Sequence, residues 1–176
     1  MKKIAVILGT SRPGSYTSKA LDIILDEFAR HEKVQVDLID PSCLNLLFPG
    51  QIGNKKDQEM IQQMVIRADG IVFSTPEYHG GLSSVAKLII ENLSYPSVLA
   101  DKPVVMMGVA AGGIGAIKTL EQLRLTLSHI GAIVLPYPVS VAQVHKVFTA
   151  DGTCHDETIE SQLRGLADRL LEYIDA

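Results

Sequence analysis

IAVILGTSRPGSYTSKALDIILDEF, residues 4–28, decides the fold. It opens as a continuous apolar run, Ile4–Leu8, and closes as a helix pattern with Leu21, Ile24, Leu25 and Phe28 at i, i+3, i+4 and i+7. Between them, Gly9–Ala20 holds two glycines and five serine or threonine hydroxyls. A strand that turns through such a loop into a helix starts a β-α-β unit, and it aims backbone N–H groups and hydroxyls at whatever sits in the turn.

The same alternation runs through the rest of the chain. VQVDLID (34–40), GIVFST (70–75), PVVMMGV (103–109) and GAIVLP (131–136) read as four more strands. The third and fourth are unbroken apolar runs, as expected of strands covered on both faces of a parallel sheet. Helix patterns occupy about 57–68, 83–94, 115–130 and 156–174, with Pro41–Lys56 and Pro136–Gly152 as loops. Five strands alternating with five helices predict an α/β fold: a three-layer, doubly wound, five-stranded parallel sheet in a single domain, 1–176. Ligands of such sheets bind beyond the carboxyl ends of the strands at the switch in strand order. That rule selects three loops: Gly9–Thr17, Thr75–Ser83 and Ala110–Gly115.

Composition narrows the function classes. A net charge of −4 and no Lys/Arg cluster argue against a nucleic-acid binder. The N-terminal MKKIAVILGT has lysines before an apolar run, but that run is too short for the apolar core of a signal peptide and reads as the first strand. The longest apolar tract, Val104–Ile117, is too short to cross a membrane. The two cysteines, Cys43 and Cys154, match neither a CxxC nor a zinc spacing, so two free thiols and a cytoplasmic location are expected. No metal site is expected either, because His145, His155, Cys154, Asp156 and Glu157 fit no ligand template.

The first loop, GTSRPG, has the G-x-x-x-x-G skeleton of a nucleotide-binding loop, but Ser15 and Tyr16 stand where Lys and Ser/Thr are needed to hold a triphosphate and Mg²⁺. The G-x-G-x-x-G dinucleotide pattern is absent. What remains suits one phosphate group: N–H groups at a helix start, several hydroxyls and the guanidinium of Arg12. The plainer alternative is a Ser/Thr-capped helix after a tight turn.

GTSRPGSYT (9–17) after the first strand and TPEYH (75–79) after the third resemble the G-S-x-R-x-x-S-x-N and T-P-E-Y-N segments of the NADPH-dependent FMN reductase family, flavodoxin-like proteins that include quinone, azo-dye and chromate reductases. The resemblance spans nearly the whole chain, including G…LRLTL…GAIVLP at 115–136. It implies an FMN-dependent oxidoreductase that takes electrons from NADPH or NADH and passes them, by a ping-pong cycle, to flavin, quinone or another small electron-poor acceptor. It also implies that Thr10, Ser11, Arg12, Ser15, Thr17 and Ser18 surround the FMN phosphate. Backbone groups of Pro76, Glu77, Tyr78 and His79, with Ala110, Gly112 and Gly113, would lie against the isoalloxazine. The flavin carries the chemistry, so no general base is named.

Departures from the family pattern are Thr10 and Thr17 for Ser and Asn, His79 for Asn, SSVAKL (83–88) for a proline-glycine helix start, and Ala110 and Ala111 where serine is common. His79 is open between a flavin or substrate contact and an exposed loop residue. Along 82–93, Leu82, Val85, Ala86, Leu88, Ile89, Ile90 and Leu93 cover more of the helix than one sheet-facing stripe needs, which with the family's habit predicts a homodimer or dimer of dimers. A flavodoxin-type electron carrier without an NAD(P)H site is the alternative. Carriers of that type usually flank the flavin with aromatics, and this chain has no Trp. A receiver module is excluded, because Gly9–Thr10 and Ser74–Thr75 stand where its acidic residues belong.

Overall fold

A computed structural model describes residues 1–176. The strands are β1 (Lys2–Leu8), β2 (Val34–Ile39), β3 (Gly70–Tyr78), β4 (Gly81–Leu82), β5 (Pro103–Val109), β6 (Ile133–Val134) and β7 (Val139–Val141). The helices are α1 (Tyr16–Ala29), α2 (Lys56–Arg67), α3 (Ser84–Glu91), α4 (Ile117–His129), α5 (Val144–Val147) and α6 (Glu157–Asp175). The parallel sheet runs β2-β1-β3-β5, and its fifth lane is shared by β6 and β7. Strand order reverses between β1 and β3, so the loops leaving these two strands flank the switch.

Strand residues alternate between two apolar layers. Ile4, Val6, Val72 and Val105 pack with Leu21, Ile24 and Phe28 of α1 and Leu163, Leu166 and Leu170 of α6. Ala5, Ile7, Ile71, Phe73 and Met106 pack on the other face with residues of α2, α3 and α4, among them Ile61, Ile89 and Leu123. Both faces of the inner strands are covered, which is why they read as unbroken apolar runs. The sequence reading of a five-lane, three-layer parallel sheet therefore holds.

Two expectations require correction. The fifth strand is not one run from 131 to 136: Pro103 and Val104 of β5 pair with β6, and Met107–Val109 pair with β7. Pro136 and Pro138 lie in the intervening segment and supply no N–H to a ladder, so pairing stops and resumes past them. The expected loop Pro136–Gly152 thus contains a strand and the short helix α5. The expected loop Thr75–Ser83 is largely a hairpin, since β3 runs on to Tyr78 and pairs antiparallel with β4. Its two connecting residues, His79 and Gly80, have φ of 51° and 72°, the positive-φ pair that a tight hairpin turn demands.

Candidate functional site

The loops at the switch close on one another through hydroxyls. Ser83, the N-cap of α3, donates from Oγ to the Gly9 carbonyl at 2.6 Å and accepts from the Ala86 N–H at 3.0 Å. Ser74 Oγ donates to the Ile7 carbonyl at 2.8 Å. A Cβ at Gly9 would run into the Ser74 carbonyl oxygen, so only glycine lets β1 leave the sheet this close to β3.

Ser15 is the N-cap of α1 and accepts from the Ser18 N–H at 3.0 Å, while Ser18 Oγ donates back to the Ser15 carbonyl at 2.8 Å. Thr10 Oγ1 accepts from the Arg12 N–H at 3.2 Å and sets the turn. The N–H groups of Gly14, Ser15, Tyr16 and Thr17 have no acceptor in the protein. These four consecutive donors lie unpaired at the positive end of a fourteen-residue helix. Arg12 is exposed beside them and forms no ion pair with a carboxylate.

These donors open into a cleft of about 330 Å³ bounded by Arg12–Thr17, Pro76–Tyr78, Val109–Ala111, Val144 and His145. Its floor is apolar where Pro76, Val109, Ala110 and Val144 are buried, and Tyr16 and Tyr78 supply aromatic rings. Glu77 turns its carboxylate out of the strand to accept from the Thr119 N–H at 3.1 Å. On the far side the Lys19 ammonium donates to the carbonyls of Thr149 and Ala150, at 2.8 and 2.9 Å, and lies over the Tyr16 ring, fastening the segment after α5 to α1.

Of the residues expected at the site, the cleft brings together Arg12, Ser15, Thr17, Pro76, Glu77, Tyr78 and Ala110. Thr10, Ser11, Ser18, His79, Gly112 and Gly113 do not line it. Thr10 and Ser18 shape the first loop by the bonds just described. His79 is exposed in the hairpin turn, and Gly112 and Gly113 are exposed on the loop after β5, with open space beside Gly112 and the Gln143 side chain beside Gly113. Besides Tyr16 and Val109, sequence reasoning missed Val144 and His145. Their position follows from β7: once Val139–Val141 is a strand beside the end of β5, residues just after it reach the same edge, where the Val144 N–H donates to the Ala110 carbonyl at 3.0 Å.

A larger open groove, about 1000 Å³, lies at the opposite end of the sheet among Lys2, Arg30, His31, Asp168 and Asp175. It mixes Lys2, Arg30 and Lys33 with Glu32, Asp168, Glu172 and Asp175, Lys2 pairing with Asp175, so it does not present one sign of charge to a ligand. Glu27, His31 and Asp168 come within 4.8 Å of one another there, but the Glu27 carboxylate already pairs with both Arg30 and Arg164. Neither thiol belongs to the cleft: Cys43 is exposed elsewhere, and burial pushes the Cys154 thiol up, away from its reactive form.

Residues 2–146 match the family model described as NADPH-dependent FMN reductase. An NADPH azoreductase from Bacillus sp. (strain OY1-2) is 32% identical over 147 residues, covering 81% of this chain and 78% of that protein. An FMN-dependent NADPH-azoreductase from Staphylococcus haemolyticus is 27% identical, covering 97% of this chain and 94% of its own length. Among solved structures, the NAD(P)H:(acceptor) oxidoreductase FerB from Paracoccus denitrificans superposes with a TM-score of 0.81 at 22% identity, over 99% of this chain and 98% of that one. An archaeal flavodoxin superposes at 0.64 and 13% identity over the whole of both chains, which places the fold among flavodoxin-like sheets. With a family match over residues 2–146 and a relative 32% identical over most of both chains, the chain belongs to the NADPH-dependent FMN reductase family.

Proposed function

We propose that this chain is an FMN-dependent NAD(P)H reductase that passes electrons in a ping-pong cycle to flat, electron-poor acceptors such as azo compounds, quinones or free flavin. The observation that carries the reading is the row of four unpaired N–H groups from Gly14 to Thr17, with Arg12 beside them, opening into the cleft. The residues fit FMN: one anion site at one end, and an apolar, aromatic-edged wall at the other. The volume is near the lower end of the range, about 300–1,000 Å³, usual for small-molecule sites.

The chemistry the group supplies when bound is hydride acceptance from NAD(P)H and return of the two electrons to an acceptor, which takes its protons from water. The chain's own residues bind and orient. The N–H groups of Gly14–Thr17 and the Arg12 guanidinium would hold the phosphate, with the Thr17 hydroxyl beside them as a further donor. Pro76–Tyr78 would border the flavin ring, and the apolar side chains of Val109, Ala110 and Val144 would help to keep water from it. In a cleft of this size NAD(P)H and the acceptor would use the flavin in turn, which supports the ping-pong reading.

The assembly we propose is a homodimer through the helix face formed by α3 and α4. Leu82, Ile90, Leu93, Leu125 and Ile130 line adjoining grooves there, and Leu125 is 72% exposed. We place the protein in the cytoplasm on its two unpaired thiols. No helix is long and apolar enough to cross a membrane.

The test compares FMN with riboflavin, which lacks the phosphate. Arg12→Ala is expected to weaken FMN by roughly 1.5–3 kcal/mol, the range for a hydrogen bond to a charged group, and to leave riboflavin affinity within twofold. Equal losses for the two ligands, by fluorescence titration, refute the phosphate assignment.

A further inference from the structure

Helix α4 starts without a cap of its own. Its N-cap residue, Ala116, has no side chain that can accept a hydrogen bond. The Ala116 N–H is met by Ser140 Oγ of β7 at 2.8 Å, but the Ile117 and Lys118 N–H groups have no acceptor in the protein. The next donor, the Thr119 N–H, is met by the Glu77 carboxylate from 42 residues away in the chain. Glu77 is therefore the capping group of α4, and it is also part of the wall of the cleft.

This double placement has an electrical consequence. Reduction adds negative charge to a bound flavin, and a bare carboxylate one side chain's length from the wall would oppose it. Here the carboxylate rests on the positive end of a thirteen-residue helix, a partial charge of roughly +0.5. The Lys118 side chain, from the same first turn, lies against Gly80 in the adjacent hairpin and adds to that end. The other ionisable groups of the cleft are Arg12, Tyr16, Tyr78 and His145, and none of them is hydrogen-bonded to Glu77.

We propose that Glu77 is a positioning residue for the bound flavin: its side chain locks the end of β3 to the amino end of α4, and this carboxylate–helix pair tunes the flavin's reduction potential. The inference rests on the FMN reading above and goes beyond it by giving the side chain, rather than the backbone, of this residue a role.

The experiment compares FMN-loaded wild type, Glu77→Gln and Glu77→Leu by FMN titration and by two-electron midpoint potential. Glutamine still accepts from the Thr119 N–H but removes the charge. It is expected to bind FMN within twofold of wild type and to shift the two-electron equilibrium about tenfold toward the reduced form, which is about 30 mV more positive. Leucine removes the tie and is expected to raise the FMN dissociation constant about tenfold, a loss that glutamine rescues. An unchanged potential in Glu77→Gln overturns the proposal, as does wild-type FMN affinity in Glu77→Leu. Should Glu77→Leu fail to fold, the glutamine potential alone decides. Wild type that takes up no FMN refutes the cofactor reading itself, and the inference with it.

Discussion

Thr119 offers a test of the packing beneath the cleft. Its Oγ1 is the one buried side-chain oxygen or nitrogen that finds no hydrogen-bond partner, and the residue is 0% exposed. An unmet buried hydroxyl forfeits its hydration, a cost of about 1–3 kcal/mol. Thr119→Val replaces the hydroxyl with a methyl group of similar size. It leaves the backbone N–H on Glu77, and the two residues have nearly equal helix propensity. The expected gain is about 1–2 kcal/mol, toward the lower part of that range because the added methyl must fit where an oxygen sat. At this chain length that corresponds to about 2–8 °C in Tm. Thermal melts followed by circular dichroism check it, with urea unfolding showing a higher midpoint and an unchanged m-value. Thr119→Ser is the control: it keeps the hydroxyl, loses a buried methyl and should melt below wild type. A Thr119→Val protein that melts at or below wild type refutes the reasoning, because the hydroxyl would then have a partner worth more than its burial costs.

Two further outcomes follow from the fold. His79 holds a left-handed conformation at the first position of a two-residue hairpin turn, where asparagine is far better tolerated; His79→Asn should stabilise the protein by about 0.5–1 kcal/mol in urea unfolding, and a loss of stability would contradict the turn assignment. Leu125→Glu places a charge in the α3–α4 groove and should convert a dimer of 19.1 kDa chains to monomer in light scattering, whereas wild type that is already monomeric at micromolar concentration rules out the proposed interface.

The hairpin explains how far the sequence could be read. The layers were legible because each inner strand is apolar on both sides and each long helix carries one stripe, such as Leu163, Leu166 and Leu170 on α6. Loop chemistry at 9–18 was legible as a capped helix start because Ser15 is followed by a helix pattern. The individual partners were not: whether a hydroxyl faces a ligand or folds back on its own turn, as in Thr10 and Ser18, depends on torsion angles that residue type leaves open. The end of β3 was read as loop because Pro76 and the polar Glu77 and Tyr78 break the apolar run, although the backbone continues as strand. His79 stood out as a change of chemistry, and its backbone angle gives that change a conformational meaning: the family's usual asparagine suits a positive-φ turn. The place of His145 at the cleft was not legible because Pro136 and Pro138 mask the return of the fifth lane.

That broken lane also shapes the margin of the sheet. A parallel sheet ends in two open margins, and an uninterrupted margin invites a strand from another molecule to join it. On the fifth-lane side no continuous strand is present: two residues of β6 give way to a proline-flanked excursion with Tyr137 exposed, and only three residues of β7 follow. On the other side β2 carries Asp37, which is paired with Arg67. The fifth-lane margin therefore offers no continuous template, while the β2 margin, six residues long, carries a paired charge in its middle.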